Sequence, residues 1–517
     1  MNTKHKVLLM AASAVMAVSA FGLVGCGKKS SNDSSSKNQK LTVWTQFATP
    51  ATSAKTWHDS PWHAGYAKAT GIAVDWKFPA KGNTGDQAFN LITAQKDLPD
   101  IMGYSFMDKA DQYIKQGIIR DLTPDIKKKA PNYWAYLQAH PDFAKAMRTD
   151  SGKYYMFGYT KQYDWMTSWQ GPIINKTYLD KLGMKEPTNI KEWDAYLVAA
   201  KKKFGATLTT QGVASPGFAG AFGAYGTSAL NYYVDNGKVK VPQTSKNWKD
   251  LMTWYASLYK RGLIDKDFET LDGEGLATKV AKGKVAATIG SGADVGNWND
   301  TQAKNKTASR FEAVGYPKQA DGAESASIFG GNKYSANGFA ISTSCPESKL
   351  DEAFKWMDYA FSKKGIYYWN YGIKGESYNI KNGKVVLTDK VTNNPRGIGE
   401  GRFLYGEAHN GAGVQLAEGG MLTKPDTDGS KIWYASGKGY MKKVMPAVTL
   451  TNAESKTAAS LENTISTYLA EQTSKFITGK QPINDSTYKA LIDRMNKDGL
   501  QKDLKIRQAA YDRFQKR

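Results

Sequence analysis

Aromatic side chains set beside amides and carboxylates recur along this 517-residue chain. Trp44-Thr45-Gln46, Tyr163-Asp164-Trp165 and Trp169-Gln170 each place a ring next to or near a hydrogen-bonding side chain. Asp294, Asn297 and Trp298 repeat the mixture after Gly290-Ser291-Gly292, and Tyr104-Ser105, Trp369, Tyr371, Arg402 and Trp433 extend it. Such residues suit recognition of a polyhydroxylated molecule. Flat rings stack on its apolar C–H faces, while amides, carboxylates and guanidinium groups bond its hydroxyls. Each ring has an alternative in plain packing. Trp193 and Trp356 fall in helix interiors and Trp76 in mid-strand, so these three are assigned to the core. Trp165, Trp44 and Trp298 are the preferred ligand platforms, because they fall at expected strand ends or at a point where the chain crosses between elements.

Catalytic patterns are weaker. Beyond the leader the histidines are His58, His63, His140 and His409, and none forms the H-E-x-x-H pair that holds zinc. No G-x-S-x-G elbow occurs. Ser291 lies between two glycines, which suits exposed backbone at a strand end better than a nucleophile. Paired carboxylates of a glycosidase are defined by separation in space and stay open at this level. No catalytic residue, metal or cofactor is assigned.

The N-terminus has a chemistry of its own. MNTKHK carries Lys4 and Lys6 and no acid, and apolar and small residues run from Val7 to Gly25. That is the layout of an export signal, expected over residues 1–25. Leu23-Val24-Gly25-Cys26 matches a lipobox, whose cysteine thiol is diacylated. Acyl chains bury CH₂ groups in lipid at roughly 0.8 kcal/mol each. The apolar run is short for a membrane span, and no second stretch of about 20 apolar residues follows. Residues 26–39 continue into GKKSSNDSSSKNQ, which has no aliphatic or aromatic side chain and reads as a flexible tether spanning roughly 20 Å. The expected location is the outer face of a membrane, anchored at Cys26.

The formal charge is +22. A basic balance suits nucleic acid, an anionic glycan or an anionic surface. Export argues against nucleic acid, and surface lysines compatible with an anionic envelope are the simplest reading. An acidic oligosaccharide stays open. Only Cys26 and Cys345 are present, so acylation of the first leaves no intramolecular disulfide.

The elements that must position these side chains alternate between strand and helix, which predicts an α/β fold. Strands are expected over residues 40–47 (KLTVWTQF), 72–78 (IAVDWKF) and 100–104 (DIMGY), with helical stretches between them. This order predicts a parallel sheet whose ligands bind beyond the C-terminal strand ends, at Trp44 and Gln46 and at Tyr104 and Ser105. Residues 154–158 and 168–175 read as strands around a crossing point. Further strands are expected over 284–289 and 335–342, and helices over 191–203, 247–261 and 350–361. Asn236-Gly237 and Asn382-Gly383 predict two hairpins. Residues from 454 onward read as mostly helical. Gly217, Gly220, Gly223 and Gly226, interleaved with Phe218, Phe222 and Tyr225, read as a close-packed turn or helix.

Several of these segments, in this order, resemble the extracellular solute-binding proteins of carbohydrate ABC importers (family 1), relatives of maltose-binding protein. They are DLPDIMGY at 97–104, QGIIRDLTPDIKKKAP at 116–131, KTYLDKLGMKEPTNIKEWDAY at 176–196, RGLIDKD at 261–267, GKVAATIGS at 283–291, residues 352–375 and residues 470–517. The resemblance implies two α/β lobes joined by a hinge, with several inter-lobe crossovers. It places lobe 1 at 40–162 and 336–400, and lobe 2 at 163–335 and 401–517 with the C-terminal helices. It implies capture of an oligosaccharide between the lobes by a monomer, and delivery to membrane permease subunits. Two alternatives are kept: an exported glycan-active enzyme, and a binding lipoprotein for a peptide-like solute. The chain departs from the family pattern in one place. Long members often carry a calcium loop after the helix matched by 191–203, but KFGATLTTQGVASP has no carboxylate, so no calcium is expected there. Asp426 and Asp428 before Gly429 lack the later acid of an EF-hand and read as a chance match.

Overall fold

Two mixed sheets, each covered by helices, carry most of the strands. β1 (Leu41–Thr45) pairs parallel with both β2 (Val74–Lys77) and β3 (Ile101–Ser105), as β-α-β units require. β4 (Phe157–Lys161) follows, shifted three residues toward the C-terminus from the residues 154–158 expected. The chain then crosses to a second sheet, in which β5 (Gln170–Asn175) lies beside β9 (Val285–Ser291). β6 (Thr207–Leu208) lies on one side of this pair and β10 (Phe311–Ala313) on the other. β11 (Tyr334–Ile341) returns to the first sheet, and β14 (Gly413–Gln415) completes it in the order β14-β4-β11-β3-β1-β2. β7 (Tyr233–Asp235) with β8 (Lys238–Lys240), and β12 (Tyr378–Lys381) with β13 (Lys384–Leu387), form the two hairpins. Their Asn-Gly turns adopt the positive φ that a two-residue hairpin demands, 50° and 76° at Asn236 and Gly237, 51° and 74° at Asn382 and Gly383.

This computed structural model describes residues 40–46, 59–80, 84–95, 98–211, 216–222, 229–304, 309–319, 331–396, 398–406, 411–417, 424–437 and 443–517. The expected leader, Cys26 and the tether lie outside them, as do Gly223, Tyr225 and Gly226. Among the described residues no helix is long and apolar enough to cross a membrane.

Helix boundaries follow local chemistry. Asn189 caps the helix Ile190–Phe204 by accepting from the Glu192 N–H at 2.9 Å, and Gly205 ends it. Ser245 caps Lys246–Lys260 through the Trp248 N–H. Phe218 and Phe222, from the glycine-spaced segment, are buried against Trp254 in the second lobe's core. That core also holds Trp193, Tyr196 and Trp248, while the first lobe is built on Trp62, Tyr66, Trp356 and Trp369. The first sheet and its helices reach past residue 400. The helix Ile398–Tyr405 packs on the helices Pro61–Thr70 and Lys363–Tyr371, and β14 pairs with β4. β14 thus returns to the first sheet beyond residue 400, because backbone pairing rather than chain order decides it. The helices Asn452–Thr478, Asp485–Lys497 and Leu500–Gln515 close the chain and pack mainly on Lys246–Lys260 and on each other.

Candidate functional site

One edge of the first sheet presents a row of polar strand ends. In sheet order these are Gln415 of β14, Lys161 of β4, Asn337 near the start of antiparallel β11, Ser105 of β3 and Gln46 just beyond β1. Ser105 pairs in register with Asn337, and Lys161 with Gln415. The Tyr159 hydroxyl donates to Gln415 Oε1. The Gln162 N–H donates to the Gln415 carbonyl at 2.9 Å, and Gln162 Oε1 accepts from the Ala417 N–H at 2.9 Å. Gln162 thus clips the two parallel strands β4 and β14 together at the place where the chain leaves for the second sheet.

The crossing itself carries the rings. Asp164–Thr167 is one 3₁₀ turn. Tyr163 and Trp165 lie nearly parallel with centroids 6.1 Å apart, and Tyr163 and Trp169 remain 48% and 47% exposed. Lys431 places its ammonium 5.1 Å from the Trp165 ring, and Lys333 pairs with Asp164 at 3.0 Å. The next residue, Gln170, is in register with Ser291 at the end of β9. Ser291 donates from both its N–H and its hydroxyl to Asp294 Oδ2 at 2.8 Å, which fixes Asp294 at the start of the helix Gly292–Lys304. That start abuts Pro425 and Asp426 of the helix Lys424–Gly437. Asp426 in turn offsets part of the burial that lowers the pKa of Arg402, whose helix packs on Pro61–Thr70 and Lys363–Tyr371. The expected residues Gln46, Ser105, Tyr163, Asp164, Trp165, Trp169, Ser291 and Asp294 therefore fall on strand ends, the first crossing, or a facing helix start, whereas Arg402 is buried in the last turn of the helix Ile398–Tyr405.

Six other expected site residues do not. Trp44 is buried between Phe89 and Tyr104, because a strand covered on both faces buries its alternate side chains too; the accessible strand end is Gln46. Tyr104 lies flat on Phe89 at 3.8 Å and donates its hydroxyl to Asp86 at 2.7 Å. Trp298 turns inward from its helix against Phe311. Trp369 is in the first lobe's core, with its indole N–H on the Tyr66 hydroxyl at 3.2 Å. Tyr371 is buried among Tyr367 and Tyr378. Trp433 is fully buried under β5 and donates to the Pro172 carbonyl at 3.2 Å. The Asp426–Gly429 segment is the first turn of a helix in which Lys424 bonds Asp428, so it is no metal loop. Among the described residues no three His, Cys, Asp or Glu side chains converge to hold an ion.

Sequence reasoning missed Lys161, Gln162, Gln415, Lys431 and the exposed Phe403 beside Arg402. Lys161 is the most informative. Its ammonium has no hydrogen-bond or ion-pair partner among the described residues, and burial holds its pKa down to about 8. A lysine lowered in the folded state destabilises the fold while it is protonated. Stability therefore rises with pH between about 8 and the unfolded value near 10.4. Replacing Lys161 with methionine is expected to stabilise the protein by about 2 kcal/mol at pH 7. Each tenfold change in proton affinity is worth about 1.4 kcal/mol, and the side chain keeps some access to water, which trims the total. The gain over wild type should shrink as the pH passes about 8 and vanish above about 10.5. Denaturant midpoints of both proteins across that range test this, and a pH-independent difference would exclude the ammonium as its source.

The model of the bacterial extracellular solute-binding proteins matches residues 48–366. Lipoprotein LipO of Bacillus subtilis is 23% identical over 402 residues, spanning 73% of this chain and 75% of LipO. The fructooligosaccharide ABC transporter substrate-binding protein FusA of Streptococcus pneumoniae is 26% identical over 296 residues, about half of each chain (51% and 53%). The crystal structure of alginate-binding protein AlgQ2 without calcium ion superposes with a TM-score of 0.75 at 25% identity, covering 92% of this chain and 99% of that one.

Proposed function

The chain belongs to the bacterial extracellular solute-binding proteins, and from that premise we propose that it captures an oligosaccharide between its two sheets and delivers it to the permease of an ABC importer. The observation that carries this reading is the run Tyr163, Trp165 and Trp169. These accessible rings sit on the crossing between the sheets, flanked by the polar strand ends Lys161, Gln415 and Ser291. Exposed rings cost free energy in water, which stacking on a sugar face recovers. The ligands for which similar proteins are named, fructooligosaccharide for FusA and alginate for AlgQ2, support a saccharide. The family binds solutes and does not transform them. We extend that to this chain: its site holds its ligand without cleaving it. The likeness to a lipoprotein supports anchoring at Cys26 on the outer face of the membrane; that the chain acts as a monomer is part of the same proposal.

A thermal-shift and calorimetric screen of neutral and acidic oligosaccharides is expected to find a ligand that raises the melting temperature by mass action. Trp165→Ala and Trp169→Ala should each weaken it by about 1–3 kcal/mol with little change in the melting temperature of the free protein. A screen with neither heat nor stabilisation would overturn the proposal. New reducing ends released at a catalytic rate would replace it with a glycan-active enzyme.

A further inference from the structure

A cavity of about 1060 Å³ lies in the first lobe and shares no lining residue with the strand-end row. It is walled by the helix Pro61–Thr70, the start of the helix Lys363–Tyr371 and the hairpin β12–β13. Four lysines line it, Lys68, Lys363, Lys364 and Lys374, and none has an ion-pair partner among the described residues. The one carboxylate there, Glu376, is already held by Lys390 at 3.2 Å and by the Tyr405 hydroxyl at 3.1 Å. Half-buried Tyr359 and Tyr367 supply ring surface to the wall.

The helix start adds a second observation. Ser362 caps it, its hydroxyl accepting from the Gly365 N–H at 2.9 Å. The N–H groups of Lys363 and Lys364 have no acceptor among the described residues, and the first turn has no acid. Positive side chains at the positive end of a helix repel its dipole, and a bound anion relieves the conflict. Exposed lysines without ion-pair partners, a helix start without an acid and tyrosine rings thus line one cavity.

We propose that this cavity is a second saccharide site, selective for an acidic sugar. The ring of that sugar lies against Tyr359 and Tyr367, and its carboxylate or phosphate lies among Lys363, Lys364, Lys68 and the helix-start N–H groups. The site is independent of the cleft proposed above, and it gives part of the excess positive charge a specific use.

Isothermal titration of the full chain with trigalacturonate, glucose 6-phosphate and neutral maltotriose tests this, in wild type, Trp165→Ala and Lys363→Gln/Lys364→Gln. At least one acidic probe is expected to bind wild type at least tenfold tighter than maltotriose, and to weaken as salt rises. Lys363→Gln/Lys364→Gln should lose that binding by tenfold or more with an unchanged melting temperature, and Tyr367→Ala should weaken it too. Trp165→Ala should keep it, which separates this site from the cleft. The carboxylate and phosphate probes distinguish the two kinds of anion. The proposal fails if neither acidic probe binds, if the double lysine variant binds them as wild type does, or if Trp165→Ala alone abolishes the binding.

Discussion

Replacing Asp150 with alanine is expected to destabilise the protein by about 3–5 kcal/mol, because it leaves the buried Arg517 guanidinium without its anion. Asp150 precedes β4, and two arginines from the helix Leu500–Gln515 and its end converge on it. Arg513 donates from Nε at 2.6 Å, and Arg517 from Nε at 2.8 Å and Nη2 at 2.6 Å. The Arg517 side chain is 3% exposed, so water cannot stand in for the carboxylate. The same arginines reach the segment before the helix Asn452–Thr478. Arg517 bonds Thr449 Oγ1 at 2.8 Å, and Arg513 bonds the Thr449 carbonyl at 3.2 Å and Glu454 at 2.5 Å. One carboxylate thus ties the first lobe to the C-terminal helices. Asp150→Asn keeps the acceptor oxygen and removes the charge, so it should lose less than alanine. Urea unfolding should show a lower midpoint at an unchanged slope. A loss below about 1 kcal/mol would put this cluster with the solvent-screened surface pairs.

Local signals in the sequence carried the elements well. The Asn-Gly hairpins and the inward faces holding Trp193 and Trp356 follow from chemistry within a few residues. The candidate site divides differently. Tyr163, Trp165 and Trp169 were legible because a ring on a short irregular crossing has little backbone around it to be buried by. Trp44 was not, since a strand end looks open in sequence until the helix bearing Phe89 is laid over it. Lys161 reads as a surface lysine. Its burial comes from β14, far along the chain, which pairs Gln415 beside it. The Asp150 cluster and the return of β14 to the first sheet are equally non-local, and no spacing rule reaches across such separations.

Trp433 tests the remaining ambiguity, since a tryptophan in an amphipathic helix beside a cleft can face either the ligand or its own sheet. Here it faces the sheet. Its indole lies against Gly171, where any Cβ would collide with the ring, and its N–H donates to the Pro172 carbonyl at 3.2 Å. Trp433→Ala should therefore cost about 3–5 kcal/mol, the range for emptying a buried aromatic site. Trp433→Phe should recover most of the packing and lose about 1 kcal/mol for the missing hydrogen bond. The helix Lys424–Gly437 also carries Lys431, over the Trp165 ring, and Asp426, near Arg402, so loosening it disturbs the cleft only indirectly. Saccharide affinity, measured well below the variant's melting temperature, should change less than about fivefold, against the larger loss expected for Trp165→Ala. The opposite pattern, a near-wild-type melting temperature with binding lost, would require Trp433 to reach the ligand. A side chain sealed beneath β5 could do that only if the helix moved off the sheet, and the collision at Gly171 shows how closely the two are fitted.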